Sequence, residues 1–351
     1  MFNQVQLYDD RLDFEDNKAK GPFGDFLSGD VYINSGQPKY DFLGTPVYSP
    51  FGIAAGPLPT TQFIQAALNK GFDIVTLKSV RTDTFPLNPY PQVRPVVVEA
   101  DLDPSKPVVV AAKYQDRLAV ANSFGIPSVK PAEWQKYMKE SLALPQKGQA
   151  LLAAFQGTAR GKGREAFVQD HVIGVGLVRE TGANIIEINL SCPNEGESVL
   201  ACFDTDITER IVNAVRQAHP EIKLIIKLAY FADSGQLKDL VKRIGGKVDG
   251  ISAINTVPAT VVDAKGKEVF PGRPMAGISG APIKWAGLKM ARLLDQFREE
   301  FGYNYKILGM GGVLTPADFD EYRQAGADIV MSVTGAMWNP RLAAEIKRHL
   351  A

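Results

Sequence analysis

Short runs of apolar and β-branched residues alternate along the chain with longer stretches whose apolar positions recur at helical spacing. This is the pattern of βα units around a parallel sheet. Eight runs read as strands: Phe51 to Ala55, Ile74 to Lys78, Ala150 to Phe155, Ile185 to Asn189, Leu224 to Leu228, Gly250 to Ile254, Lys306 to Gly309 and Ile329 to Ser332. The helical period predicts helices over Gln62 to Lys70, Ala166 to Glu180, Thr208 to His219, Ser234 to Ile244, Ile283 to Glu300, Pro316 to Ala325 and Arg341 to His349. Eight strands with intervening helices predict an α/β fold, a closed TIM (β/α)8 barrel rather than an open doubly wound sheet.

Three stretches break the alternation. Residues 1–45 form a polar N-terminal extension, leaving residues 46–351 as the barrel domain. Residues 82–148, after the second strand, are far longer than an ordinary βα loop. They carry the Pro-rich PLNPYPQVRP, three valines at 96–98 and a helical patch from Trp134 to Leu142. After the sixth strand, Thr256 to Gly280 holds the turn signal Ala264-Lys265-Gly266 between Val-containing flanks and predicts a hairpin. No repeat or linker sets off a second domain.

Composition narrows the function classes. The 39 basic side chains cancel the 39 acidic ones, which argues against a nucleic-acid surface. No apolar run approaches the roughly 20 residues that a bilayer requires. The first residues lack a basic segment followed by an apolar one, so a cytoplasmic protein is expected. Two cysteines, Cys192 and Cys202, are too few for a disulfide framework or an all-cysteine cluster. His171, His219 and His349 are scattered over separate helical segments, with only Glu345 at helical spacing from His349, so no metal site is expected.

In a parallel barrel the chemistry sits at the C-terminal ends of the strands. There the chain places Ala54-Ala55-Gly56-Pro57, Lys78-Ser79, Asn189-Leu190-Ser191-Cys192-Pro193-Asn194, Asn255-Thr256, Gly309-Met310-Gly311-Gly312 and Thr334-Gly335-Ala336, with Lys227 inside the fifth strand. Glycine turns after the last two strands suit a phosphate held by backbone N–H groups, although Gly311 and Gly312 are equally compatible with a tight turn alone. A lysine inside a barrel is costly unless an anion compensates it. Lys78 and Lys227 therefore point to a cofactor such as a flavin, whose N1 and C2 carbonyl edge gains negative charge on reduction. The other reading is that either lysine points outward and covers apolar surface. Cys192 is either a small buried hydrophobe or a working thiol. Asn189, Asn194, Asn255 and Asn122 offer amide groups of the kind that read a planar heterocycle such as a pyrimidine. Cys202 has no such neighbours and reads as structural.

Taken together, AlaAlaGlyPro at 54–57, ThrLeuLysSer at 76–79, AsnSerPheGlyIlePro at 122–127, AsnLeuSerCysProAsn at 189–194, IleLysLeu at 226–228, GlyIleSerGly at 277–280 and GlyMetGlyGly at 309–312 resemble the dihydroorotate dehydrogenases. Those are FMN-dependent (β/α)8 barrels, and the likeness is strongest to the soluble class with a cysteine base. The resemblance implies oxidation of dihydroorotate to orotate, with Cys192 as general base and Lys78 in contact with both flavin and substrate. It assigns the pyrimidine to Asn122, Asn189, Asn194, Asn255 and Thr256, and its carboxylate to the turn of Phe124, Gly125 and Ile126. It assigns FMN to Ala55, Gly56, Lys78, Ser79, Asn189, Lys227, Gly280, Gly311, Gly312, Thr334 and Gly335. It also implies a homodimer and a soluble electron acceptor, fumarate or NAD through a partner subunit.

The chain departs from the family pattern at Ala276, where glycine is usual, at Thr334-Gly335, an inversion of the common pair, and across 128–163. One rival is a flavin barrel acting on another dihydropyrimidine, as in the dihydropyrimidine dehydrogenases. Those carry histidine at the position of Asn194 and rely on iron–sulfur modules that this chain lacks. The second rival, a flavin-binding barrel without catalysis, sits poorly with the joint presence of Cys192, Lys78 and Lys227.

Overall fold

The structure, a computed structural model, describes residues 7–159, 161–191 and 200–351. Cys192 and Asn194 lie outside the described residues. In chain order the strands are β1 (Tyr40–Phe42), β2 (Thr45–Val47), β3 (Phe51–Ile53), β4 (Ile74–Thr76), β5 (Val93–Val97), β6 (Val108–Val110), β7 (Ala119–Asn122), β8 (Ala150–Phe155), β9 (Ile185–Asn189), β10 (Lys223–Leu228), β11 (Gly250–Ala253), β12 (Val257–Val262), β13 (Met275–Gly280), β14 (Lys306–Met310) and β15 (Ile329–Ser332). The helices are α1 (Phe14–Lys20), α2 (Thr61–Asn69), α3 (Pro131–Leu142), α4 (Gly163–Arg179), α5 (Thr205–Ala218), α6 (Ser234–Ile244), α7 (Lys284–Phe301), α8 (Pro316–Gln324), α9 (Thr334–Trp338) and α10 (Leu342–Leu350).

All eight strands expected from periodicity join one closed parallel barrel in the order β3, β4, β8, β9, β10, β11, β14, β15 and back to β3. Every residue of β8, Ala-Leu-Leu-Ala-Ala-Phe, is buried, as a strand covered on both faces must be. One face of these strands packs against the helices. The other fills the barrel with Ile74, Leu152, Ile185, Ile225, Leu308, Ile329 and Met331. Phe42 and Val47, from the β1–β2 hairpin, join that interior cluster and plug the barrel bottom.

Local signals explain where the helices begin and end. α5 starts three residues before the periodic pattern predicts because the Asp204 carboxylate caps it, accepting from Ile207 N–H. α8 opens with a reciprocal capping box between Thr315 and Asp318, with Pro316 in its first turn. α7 stops at Gly302, which takes the left-handed conformation with φ +67°.

The two inserted excursions build a single second structure. β12 and β13 form the expected hairpin, and β13, β7, β5 and β6 continue it as antiparallel neighbours. Parallel pairing of β6 with β12 closes a small five-stranded barrel over the mouth of the large one. The turn signal at 264–266 is tight, with Gly266 N–H donating to Asp263, but the connection runs on to Pro274 before β13 begins. Among the described residues, no helix is long and apolar enough to cross a membrane.

Candidate active site

Between the large barrel's C-terminal mouth and the small barrel lies a cavity of about 850 Å³. That is near the top of the roughly 300–1,000 Å³ range of small-molecule and cofactor sites. Its lining includes Ala55, Gly56, Lys78, Ser79, Asn122, Phe124, Gly125, Ile126, Asn189, Lys227, Asn255, Thr256, Gly280, Gly311, Gly312, Thr334 and Gly335. Seven of the eight barrel strands, at or near their C-terminal ends, and both excursions therefore bring every described candidate residue to one place.

The lysines point inward. Lys227, on β10, is buried and lies 3.9 Å from Glu187 on β9, so it does not run outward along the apolar surface. Lys78 follows β4 and lines the cavity, its ammonium over the Phe14 ring. Beside them runs a polar chain. Asn255 Nδ2 donates to Ser191 Oγ at 3.0 Å, and Ser191 Oγ donates to Asn189 Oδ1 at 2.7 Å. Asn189 Oδ1 is thus engaged within the protein, which leaves Nδ2 as the group for a ligand. Asn122, at the end of β7, donates to Gly277 O at 3.1 Å.

The glycine turns interlock backbone against backbone. A Cβ on Gly335 would stand 2.2 Å from Val313 O, and one on Gly312 would stand 2.9 Å from Gly280 O. Gly311 and Gly312 have φ of +120° and +71°, so the conformation favours glycine at both, and at Gly312 the close approach to Gly280 requires it as well. Tyr322 donates to Gly311 O at 2.7 Å and Ser332 donates to Val313 O at 2.7 Å, which pins the two turns together. The departure at Ala276 is accommodated in this geometry. The neighbouring Gly277 is the crowded position, where a Cβ would meet Thr256 Oγ1 at 2.2 Å.

Other lining residues were not evident from the sequence. Tyr8, Asp10 and Phe14 come from the N-terminal extension, while Tyr114, Trp338 and Arg273 come from loops and a short helix. Tyr114 donates to Asp10 at 2.8 Å and packs edge-on against Trp338. Burial and the Asp10 charge push the Tyr114 phenol well above its ordinary range, so it remains a donor. The aromatic residues Tyr8, Tyr114 and Trp338 were the available clue, but nothing local ties them to the strand ends. Cys202 is buried, its thiol pushed up to about 12 by desolvation. It is a packing residue, as the sequence suggests. The three histidines are far apart in role: His171 is buried beside Gly157, His219 meets Val172 O, and His349 pairs with Asp320 rather than with Glu345.

Comparison with known proteins gives the family. Residues 39–351 match the family described as dihydroorotate dehydrogenase. The chain belongs to the dihydroorotate dehydrogenase family. It is therefore an enzyme of an oxidoreductase family that is flavin-dependent in general. A dihydroorotate dehydrogenase of Dictyostelium discoideum is 33% identical, with 96% of this chain and 95% of that protein aligned. The catalytic subunit of a dihydroorotate dehydrogenase B (NAD(+)) of Methanocaldococcus jannaschii is 26% identical over 86% of this chain and 87% of its own. A dihydroorotate dehydrogenase A (fumarate) of Lactobacillus delbrueckii subsp. bulgaricus is 32% identical over 48% of this chain and 52% of its own.

The chemistry of the cavity fits a phosphate-bearing flavin. Backbone turns in which a side chain would clash suit a phosphate, and the buried lysine beside polar amides suits a heterocycle edge that gains charge. The apolar surface of Val120, Trp338 and Met337 suits the ring's hydrocarbon part.

Proposed function

We propose that this chain binds FMN and oxidises dihydroorotate to orotate for pyrimidine biosynthesis. The observation that carries the reading is the convergence of Lys78, Asn122, Asn189, Lys227, Asn255 and the two glycine turns on one cavity at the barrel mouth.

FMN, when bound, supplies the acceptor for the hydride that leaves C6 of dihydroorotate. The protein's part is to hold the substrate flat and to take the remaining proton. Asn122, Asn189, Asn194, Asn255 and Thr256 hold the pyrimidine edges, and the turn Phe124-Gly125-Ile126 offers N–H groups to the carboxylate. Cys192, which follows Ser191 at the end of β9, takes the C5 proton, so that the C5–C6 bond becomes double. Lys78 contacts both flavin and substrate and Lys227 supports the flavin, and an electropositive site of this kind lowers a thiol's pKa. Gly311, Gly312, Thr334 and Gly335 hold the phosphate, while Ala55, Gly56, Ser79 and Gly280 let the backbone approach the ring. The electrons pass to a soluble acceptor, and the relatives include proteins named for fumarate and for NAD(+). The active unit is a homodimer in the cytoplasm.

The test is the visible spectrum of the purified protein under anaerobic conditions. A flavin band near roughly 450 nm that bleaches on adding dihydroorotate supports both cofactor and substrate. Cys192→Ser should then slow bleaching about 10²- to 10⁴-fold while leaving flavin content unchanged, the range expected for loss of a general base. A flavin band that dihydroorotate leaves untouched sinks the substrate, and protein that takes up no FMN sinks the whole reading.

A further inference from the structure

Glu187 is a buried carboxylate in the middle of the barrel, two residues before Asn189 on β9 and only 1% exposed. Its Oε2 accepts a 2.7 Å hydrogen bond from Ser252 Oγ on β11. Among the described residues its Oε1 accepts no hydrogen bond, and it lies 3.9 Å from Nζ of Lys227, on β10 between the other two strands. The catalytic scheme above has no use for it. An ionised carboxylate is costly in a barrel interior unless charge and hydrogen bonds compensate it, and apolar side chains fill the neighbouring positions Ile185 and Ile225 without that penalty.

The compensation comes from Ser252 and from the same lysine that lines the cavity. An ammonium has three donors, and at 3.9 Å it is held by the carboxylate without being closed off by a tight hydrogen bond. It can therefore face a second partner above.

We propose that Glu187 is a positioning residue for Lys227: anchored by Ser252, it holds the ammonium toward the cavity and offsets part of its charge, and so sets how strongly the site favours flavin reduction. The inference rests on the reading of the cavity as a flavin site. A purely structural Glu187 would affect stability alone. A residue acting through Lys227 changes the flavin's reduction equilibrium, and only while the lysine is present.

The experiment is the flavin midpoint potential of the holoenzyme at mildly acid pH for wild type, Glu187→Gln, Lys227→Met and the double variant. Glutamine keeps the shape and can still accept from Ser252. Glu187→Gln is expected to favour the reduced flavin tenfold or more, about 30 mV for a two-electron couple, and this shift should vanish in the Lys227→Met background. A potential equal to wild type, or the same shift without the lysine, overturns the proposal. If the glutamine variant does not fold, Glu187→Asp, which keeps the charge one methylene further away, should shift the potential the same way by less. An unchanged potential there also overturns the proposal. Wild-type protein that takes up no flavin defeats the cavity reading and this inference with it, whereas a flavin-loaded wild type with unmoved variants defeats this inference alone.

Discussion

The ammonium of Lys78 stands 5.2 Å from the centroid of the Phe14 ring, and that ring also meets Phe124 edge-on at 5.9 Å. One residue of the N-terminal extension thus joins the end of β4 to the turn assigned to the substrate carboxylate. Phe14→Leu keeps most of the buried apolar volume but removes both ring contacts, together worth about 1–2 kcal/mol. The expected result is a KM for dihydroorotate raised up to about tenfold with kcat changed little. Steady-state kinetics with a dye acceptor checks this, and an unchanged KM would show that the extension does not act on substrate binding.

Arg273 should act on the same turn through Ser123, the residue that precedes it. Its guanidinium donates to Ser123 O at 2.6 Å, Ser123 Oγ at 2.9 Å and Pro89 O at 2.6 Å, and so fastens the second excursion to the first. Lysine keeps the charge but lacks the planar fork. Losing one such charged hydrogen bond is worth about 1.5–3 kcal/mol. Arg273→Lys is therefore expected to lower kcat/KM by roughly 10- to 100-fold, chiefly through KM. A purely stability-borne role would instead lower the melting temperature and leave KM alone.

The turn proposed to hold the phosphate offers a prediction about cofactor content. Alanine at Gly312 meets Lys284 Cβ at 2.8 Å and Gly280 O at 2.9 Å, and must also adopt φ +71°. Left-handed backbone alone costs an ordinary residue about 1–2 kcal/mol. Gly312→Ala should fold and yet weaken FMN binding at least about tenfold, since relief of the clash displaces the turn. Fluorescence titration of apoprotein with FMN measures this, and wild-type affinity would remove Gly312 from the phosphate site.

Acid should loosen the barrel bottom. Asp249 is partly buried, which taken alone raises its carboxyl, but the Leu224 N–H and the Arg216 guanidinium outweigh that and hold it below the ordinary carboxylate range. A lowered folded pKa means stability present above the unfolded value and lost as pH falls through the folded one. Asp249→Asn is expected to cost about 1.5–3 kcal/mol at neutral pH and progressively less below about pH 4. Denaturant unfolding across pH 3 to 7 tests this, and equal destabilisation throughout would contradict it.

Much of the fold was legible because its signals are local. The strand pattern and turn residues each occupy one stretch of chain, and all eight expected strands enter the barrel in sequence order. The candidate residues were legible for the same reason, since a parallel barrel turns every strand end toward one mouth. The extension was not legible in this way. Its polar character hid Tyr8 and Phe14, whose partners Phe63 and Phe124 lie far along the chain. Nor was Glu187 legible, because a carboxylate two residues from Asn189 has no meaning until β10 brings Lys227 beside it.

By itself, the sequence determined the number and order of the barrel units, the residues at their ends and the glycine-rich stretches after the last two strands. Each of these follows from backbone conformation or periodicity within a few residues. Tertiary structure alone decided that the two excursions close into one small barrel, through the pairing of Val261 with Val108. It also decided that Asp10 reaches Tyr114 across 104 positions and that Ser252 and Lys227 share one buried carboxylate. Such contacts join segments whose local patterns are independent, so the constraint that unites them appears only once the barrel has closed.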